Sequence, residues 1–322
     1  MLGLRIGVVF LSALGVLGAG LPALAQEKTD VSVGTGFASG VYYPMGNGIA
    51  KVVSKYMRRY SAKVEATGGS VDNLKLLAAN RIDVGFSMAD ASWDAYNGAD
   101  KFKGGKLAVR ALMVLYPNSL HVVTLQRPDI NKMADLKGKR LATGAPGSAT
   151  EVMALRVLEA YGVDKDVTRE RLGLDESVAA LKDRKVDALF WSGGVPTAAI
   201  VNLASTPGIS VRLLDHEDAV DLLVKKYGPL YSKQEIAARA YPGLSRNGKG
   251  VSVWNILVVS ETMSPALAYD LVKTIFEHKA EIAEAHKEAE NISLEHQRND
   301  TSPIPFHPGA IKYFAEKGVK VR

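Results

Sequence analysis

The sequence contains no cysteine. Small exported domains often depend on disulfides, so this chain must take its stability from a buried core. With 322 residues it is long enough to bury such a core and to form two lobes. The lack of cysteine also excludes a lipid-modified N-terminus, which favours a protein that diffuses freely.

Long apolar runs are missing except at the start of the chain. There, one cation at Arg5 precedes an apolar run from Ile6 to Leu21 and the triplet Ala23-Leu24-Ala25. The run is shorter than the roughly 20 residues that span a bilayer, and an A-x-A cleavage site follows it. We therefore predict a signal peptide over residues 1–25, cleaved after Ala25, and a mature protein in the periplasm. A retained membrane anchor is the alternative.

Neither sign of charge dominates the composition. The chain has 40 Lys and Arg against 34 Asp and Glu, a net charge of +6. The densest basic cluster, Lys55, Arg58, Arg59 and Lys63, has helical spacing among apolar residues, which is typical of a solvated helix face. We predict no nucleic-acid partner. The mild positive field would help to collect small anions.

Signatures of catalysis and of metal binding are also missing. The six histidines show no HExxH and no metal-ligand spacing, and neither G-x-S-x-G nor S-x-x-K is present. Ser148 has no base beside it in the sequence, although a spatial partner stays open. Asp90 and Asp94 are better interpreted as ligand contacts or surface residues than as an acid–base pair. We predict no enzyme, no cofactor and no metal.

Glycine-rich loops are what the sequence does have. The stretch VSVGTGFASGVYYPMGNGIAKVV, residues Val31–Val53, predicts a strand, a loop and a helix. It is not a dinucleotide fingerprint, because Ser39 stands where the third glycine belongs and no acidic residue follows about 20 positions later. The segments TGGSVDN and GAPGSATE each place glycines and a serine at a helix start. In the second, Ser148 and Glu151 form a capping box that predicts a helix start near Ala149.

These helix starts have two interpretations. On the first interpretation, these residues only cap the helix. On the second, the free N–H groups of the helix start also bind a carboxylate. One helix terminus contributes about 0.3–1 kcal/mol to the free energy of binding an anion, or about 2 kcal/mol in a sheltered site. Micromolar affinity requires a binding free energy of about 8 kcal/mol. Several termini would therefore have to converge, as they do when two lobes close on a ligand.

Strands and helices alternate along the chain, which predicts an α/β protein with parallel sheets. RIDVGF (Arg81–Phe86) and KVDALF (Lys185–Phe190) share one pattern, and each follows a short amphipathic helix. This similarity between the two segments is explained equally well by chance and by a protein with two similar lobes. On the second interpretation, both strands end at a common cleft.

The order and spacing of these segments closely resemble the TAXI family, the extracytoplasmic solute receptors of TRAP transporters. The resemblance extends over nearly the whole mature chain. It rests on the segments GVYYPMGNGIA, ATGGSVDNLKLL, RIDVGFSMAD, DLKGKRLATGAPGSATE, VDALFWSGGVPTAAI, AYPG, NISLE and PIPFHPGAIKYFAEKG.

This resemblance implies a two-lobed periplasmic-binding-protein fold of type II-like architecture. Each lobe would be a mostly parallel sheet covered by helices, with the ligand cleft between the lobes. Residues 26–117 and 253–322 would form lobe 1, and residues 118–252 would form lobe 2.

The implied function is the capture of a small organic acid or amino acid, such as a glutamate-like ligand, by its carboxylate. A monomeric receptor would deliver that ligand to the ion-driven TRAP permease in the membrane. The alternative is a periplasmic α/β enzyme, or a ligand-sensing partner, that uses the same cleft.

Residues at motif positions of the family form the implied binding site. They are Tyr42, Tyr43, Gly69, Ser70, Asn73, Asp90, Thr143, Ser148, Ala149, Thr150, Trp191, Ser192 and Gly193. The sequence departs from the family pattern at Phe37 and Ala38, where small residues are usual, and at Met88, where glutamine is common. We therefore expect a more apolar or differently sized acid than glutamate.

Overall fold

The computed structural model describes residues 28–127 and 129–321. The predicted signal peptide lies outside the described residues. Within them, no helix is both long and apolar enough to cross a membrane.

Ten strands form one continuous sheet in the described part of the chain. In chain order they are β1 (Thr29–Gly34), β2 (Tyr60–Glu65), β3 (Val84–Met88), β4 (Val109–Leu125), β5 (Arg140–Ala142), β6 (Thr168–Glu170), β7 (Ala188–Gly193), β8 (Val211–Leu213), β9 (Tyr231–Ile236) and β10 (Gly248–Ser260). The order across the sheet is β2-β1-β3-β10-β4-β7-β5-β6, with β9 on β10 and β8 on β4.

Helices cover this sheet. They are α1 (Tyr42–Tyr56), α2 (Ser70–Ala78), α3 (Ala89–Asn97), α4 (Ala149–Ala160), α5 (Leu174–Lys182), α6 (Ala198–Ala204), α7 (Ala219–Tyr227), α8 (Pro265–Glu277), α9 (Lys279–Ala285) and α10 (Pro308–Glu316). Short 3-10 turns follow α3 at Asp100–Phe102 and α9 at Lys287–Asn291.

The fold is α/β with two lobes, as predicted, but its sheet is mixed rather than mostly parallel. Strands β1, β2 and β3 pair in parallel in one lobe, and β5, β6 and β7 do so in the other. Between them, β4 and β10 pair antiparallel with each other and with β3, β7, β8 and β9. The returning strand β10 causes this difference, because it enters the centre of both half-sheets.

The two lobes are connected through β4 and β10. The sequence suggested two strands separated by Pro117-Asn118, but β4 continues through both residues for 17 residues. Pro117 lies opposite Trp254 on β10, and the register shifts between Trp254 and Ile256. A proline contributes no N–H to a ladder, so this point of the pair is weakly hydrogen-bonded. The lobe limits given for the sequence, at residues 117/118 and 252/253, stay a prediction.

Apolar burial holds each helix to the sheet. Helix α1, for example, buries Met45, Ile49, Val52 and Val53, which recur at helical spacing. The long helical segment predicted after Pro265 is divided into α8 and α9 at His278. The largest fully buried side chains include Phe86, Phe306 and Phe314.

A buried ionic cluster joins the lobes beside the cleft. The guanidinium of Arg156 on α4 lies 2.5 Å from a carboxylate oxygen of Asp94, 3.2 Å from one of Asp100 and 3.6 Å from one of Asp90. Tyr231 on β9 donates a hydrogen bond of 2.9 Å to Asp90. One cation thus faces three carboxylates of the other lobe, and it cannot neutralise all of them.

The cluster predicts an unusual pH dependence of stability. Burial, together with Asp90 and Asp100, raises the pKa of Asp94 to about 6 against the attraction of Arg156. This pKa exceeds the ~3.9 of an aspartate in the unfolded chain. Between pH values of about 4 and 6, the folded protein therefore binds more protons at Asp94 than the unfolded protein does. The contribution of Asp94 therefore lowers the free energy of unfolding as pH rises from about 4 to about 6.

We expect Asp94→Asn to reduce this decline in urea unfolding measured at pH 4, 5, 6 and 7. An identical decline in the variant would contradict the assignment to Asp94.

Candidate functional site

A cavity lies between the lobes, at the ends of strands from both half-sheets. Its volume is about 40 Å³, well below the ~300–1,000 Å³ typical of ligand pockets, so a solute larger than a few water molecules needs the lobes to separate further. Among the described residues, no Lys, Arg, His, Asp or Glu side chain lines it. A solute in this cavity would meet backbone groups, hydroxyls, an amide and aromatic rings.

The starts of three helices surround the cavity. Tyr42 begins α1 and Ser70 begins α2 in one lobe, and Ala149 begins α4 in the other. The starts of α2 and α4 approach closely, since a Cβ on Gly69 would lie 3.9 Å from the Cα of Ser148. Gly69 has a φ of +110°, which side chains of L-residues rarely adopt. The backbone conformation at position 69 therefore requires glycine, whereas the distance to Ser148 would allow a Cβ.

The sequence correctly predicted how α4 begins. Ser148 is the N-cap residue, and its hydroxyl accepts a 3.2 Å hydrogen bond from the N–H of Glu151. The second half of the predicted capping box does not form. The Glu151 carboxylate turns instead to Arg171, at 2.5 Å, and to Arg169, at 3.3 Å. The helix start consequently carries no acidic side chain toward the cavity.

Most of the predicted site residues line this one cavity. They are Tyr42, Gly69, Ser70, Ser148, Ala149, Thr150, Trp191, Ser192 and Gly193. Several are already fixed by protein contacts. Ser70 Oγ accepts from the N–H of Met88 at 3.0 Å, and the indole N–H of Trp191 donates to Thr197 at 3.0 Å.

Asn73 is placed elsewhere. It is fully buried under β1 and β3, where its amide nitrogen donates to the carbonyls of Gly34, Thr35 and Phe86 at 3.2, 2.7 and 2.8 Å. Its oxygen accepts from Thr67 at 2.7 Å. The amide thus ties two strands to the start of α2, and no free polar atom is left for a ligand.

Asp90, Tyr43 and Thr143 also lie outside the lining. Asp90 is fully buried and belongs to the Arg156 cluster, where burial raises its pKa. Tyr43 is a partly buried residue of α1. Thr143 is fully buried after β5, and its N–H donates to the carbonyl of Glu170. The structure therefore does not bring these three predicted residues to the cavity.

Eight lining residues were not among the predicted site residues. They are Gly36, Phe37, Gly40, Val41, Gly68, Met88, Tyr116 and Asn118. Phe37 and Met88 did stand out as departures from the family pattern. Tyr116 and Asn118 flank the lobe crossing, and alternate residues of a strand share one face. That alternation in Tyr-Pro-Asn is the signal that could have identified them.

The described residues contain no group of three or more His, Asp or Glu side chains placed to hold a metal ion. The cluster of aspartates at Arg156 is already occupied by the guanidinium.

Asn73 and Ser148 offer a test of structural against ligand-contact roles. Asn73→Ala would leave strand carbonyls unpaired, so we expect the free energy of unfolding to fall by about 2–4 kcal/mol. Ser148→Ala removes one helix cap and should cost about 1 kcal/mol. Urea unfolding at pH 7 measures both. An Asn73→Ala protein as stable as the wild type would contradict the structural role.

Comparison with known proteins agrees with this architecture. A structure of a protein from Bordetella bronchiseptica RB50 aligns with a TM-score of 0.54 at 19% identity, covering 89% of this chain and 89% of that chain. An ancestral arginine-binding protein bound to arginine aligns with a TM-score of 0.51 at 15% identity, covering 82% of this chain and 97% of that one. At such identities the likeness establishes the fold alone.

One curated protein is similar over part of the chain. Peptide methionine sulfoxide reductase MsrA 2 of Caulobacter vibrioides is 31% identical over 153 residues, which is 44% of this chain and 74% of that protein. This chain has no cysteine and therefore no thiol for redox chemistry.

A family model covers far more of the chain. The model of the NMT1-like family matches residues 33–318, which include both lobes and every lining residue of the cavity. The chain therefore belongs to the NMT1-like family.

Proposed function

We propose that this protein is an extracytoplasmic solute receptor that captures a small carboxylate in the cavity between its lobes. The observation that supports this most directly is the meeting of three helix starts, from both lobes, around one cavity without charged side chains. An anion there is attracted by the positive ends of three helices and meets no competing acid in the lining.

Backbone donors are available in both lobes. In α2, the N–H of Asn73 bonds to Gly69 and that of Asp72 to Gly147, which leaves the N–H groups of Ser70 and Val71. In α4, Ser148 Oγ accepts a hydrogen bond from the N–H of Glu151. The N–H groups of Ala149 and Thr150 then remain as donors for a ligand. Two pairs of donors from opposite sides match the two oxygens of a carboxylate.

Aromatic and apolar side chains complete the lining. Tyr42 packs on Phe86, and Trp191 is held in place by Thr197. Phe37 and Met88 add apolar surface. A pocket with this mixture fixes the charged end of a solute by hydrogen bonds and takes its carbon skeleton by apolar contact. The lining therefore favours a ligand more apolar than glutamate.

The wider assignment follows from the family resemblance of the sequence segments. We propose that the receptor belongs to the TAXI type, works as a monomer in the periplasm after cleavage behind Ala25, and delivers its ligand to a TRAP permease. The family match and the fold are compatible with this role. A periplasmic enzyme that uses the same cleft is the alternative, and turnover of a bound acid would identify it.

A charge placed at the start of α4 tests carboxylate capture. Ala149→Asp sets a carboxylate among the donors of the cavity, so we expect affinity for any acid ligand to fall at least ~100-fold through repulsion and occupied donors. Ala149→Asn is the matched control, because it has the same shape without the charge, and its loss should be clearly smaller.

Calorimetric titration with a library of organic acids and amino acids measures these affinities, and far-UV circular dichroism confirms folding. Ligand-dependent thermal stabilisation without product formation is expected for a receptor. Equal affinities of the two variants would contradict an anion site at α4.

A further inference from the structure

Two residues that line the cavity each carry a buried polar atom with no partner among the described residues. They are the hydroxyl oxygen of Tyr116 and the amide oxygen of Asn118. Tyr116 is 0% exposed and Asn118 is 1% exposed. Buried polar groups are nearly always hydrogen-bonded, and an unpaired one destabilises the fold. Both residues line the cavity, and a solute that enters between separated lobes would be the partner that these atoms lack.

The chemistry of the two atoms is complementary. Burial raises the pKa of Tyr116 well above its usual value, so its hydroxyl stays protonated and can donate a hydrogen bond. The amide nitrogen of Asn118 donates to Ser192 Oγ at 2.9 Å, which orients the amide and leaves its oxygen as an acceptor. A single ligand hydroxyl can accept from the first atom and donate to the second.

A ligand ammonium group would find no counter-charge in this lining. The carboxylate of Glu288 accepts hydrogen bonds from the N–H of Val195 at 2.8 Å and from Asn291 at 2.6 Å. Asp90 is bound to Arg156 and Tyr231. Burying an ammonium without a paired carboxylate is strongly unfavourable.

One further acid comes near the cavity. The carboxylate of Asp72 lies against Gly68 and Gly147, outside the lining. It is in the first turn of α2, where its charge interacts with the positive end of that helix. It is the acid to test if an amino acid does bind.

We propose that the ligand is a hydroxylated monocarboxylate without an ammonium group, with its hydroxyl bound between Tyr116 and Asn118. The carboxylate is held by the starts of α2 and α4, and the carbon chain packs against Tyr42, Met88 and Trp191. This inference rests on the proposed receptor function and names its ligand class. It excludes amino acids, which the sequence left open.

The direct test compares acids that differ in one group. The set consists of 2-hydroxy-4-methylpentanoate, leucine and 4-methylpentanoate, with lactate, alanine and propionate as a smaller set. We expect the best hydroxy acid to bind the full mature chain at least ~10-fold more tightly than its amino and unsubstituted analogues in calorimetry at pH 7. An amino acid that binds as tightly as its hydroxy analogue overturns the inference.

Two variants locate the hydroxyl site. Tyr116→Phe should weaken binding of the hydroxy acid about 10-fold and change binding of the unsubstituted acid less than about twofold, because only the first has the hydroxyl. Asn118→Asp supplies a negative acceptor, so it should shift the preference toward the amino acid. Ser252→Ala is the control, since it removes another unpartnered buried hydroxyl that lies outside the lining. It should leave all affinities unchanged.

The outcomes separate the two proposals. Tight binding of an amino acid that is lost in Asp72→Asn overturns the inference and leaves the receptor function standing. If no acid in these sets binds, and glutamate and short dicarboxylates fail as well, both proposals are overturned. Unchanged affinities in Tyr116→Phe and Asn118→Asp contradict the hydroxyl site even if a hydroxy acid binds.

Discussion

The pairing of β4 with β10 is the constraint on which the site depends. These two strands run through both half-sheets and place them side by side. Parallel strands on either side of the pair then end at the same cleft, and each is followed by a helix or a glycine loop. Because a helix that follows such a strand begins at the strand's carboxyl end, its N–H groups point to the same place. The convergence of α1, α2 and α4 is therefore a consequence of topology.

Backbone hydrogen-bond donors line the cavity of this molecule, whereas the charged side chains of the described residues lie outside the lining. The ionic groups near the cleft are paired with each other, as Arg156 is with three aspartates and Glu151 with Arg169 and Arg171. The cavity itself is lined by neutral groups. Oriented dipoles are weaker than a guanidinium, so several must act together. An anion held in this way is recognised by its shape and by its neutral substituents as well as by its charge.

The sequence allowed the α/β class and the start of α4 to be predicted, because these follow from local signals such as alternation and capping. The two lobes were expected from the family resemblance. Most of the residues that line the cavity were named from motif positions of the resembled family, and glycine and serine at a helix start independently pointed to those around Gly69 and Ser148. Asn73 was misjudged for a physical reason: an amide beside a glycine turn can bond strand carbonyls or a ligand, and only the three-dimensional contacts distinguish these. Tyr116 and the mixed sheet depend on the return of β10 from about 140 positions later, which no local pattern encodes.

Pro117 gives the crossing a further property. It stands between Tyr116 and Asn118, at the point where the ladder to β10 shifts its register. Rotation of one half of the protein against the other would bend the backbone at this proline and change the separation of its two neighbours. The spacing between a phenol and a carboxamide would then vary with the opening angle between the lobes, and any selectivity that depends on this spacing would vary with it.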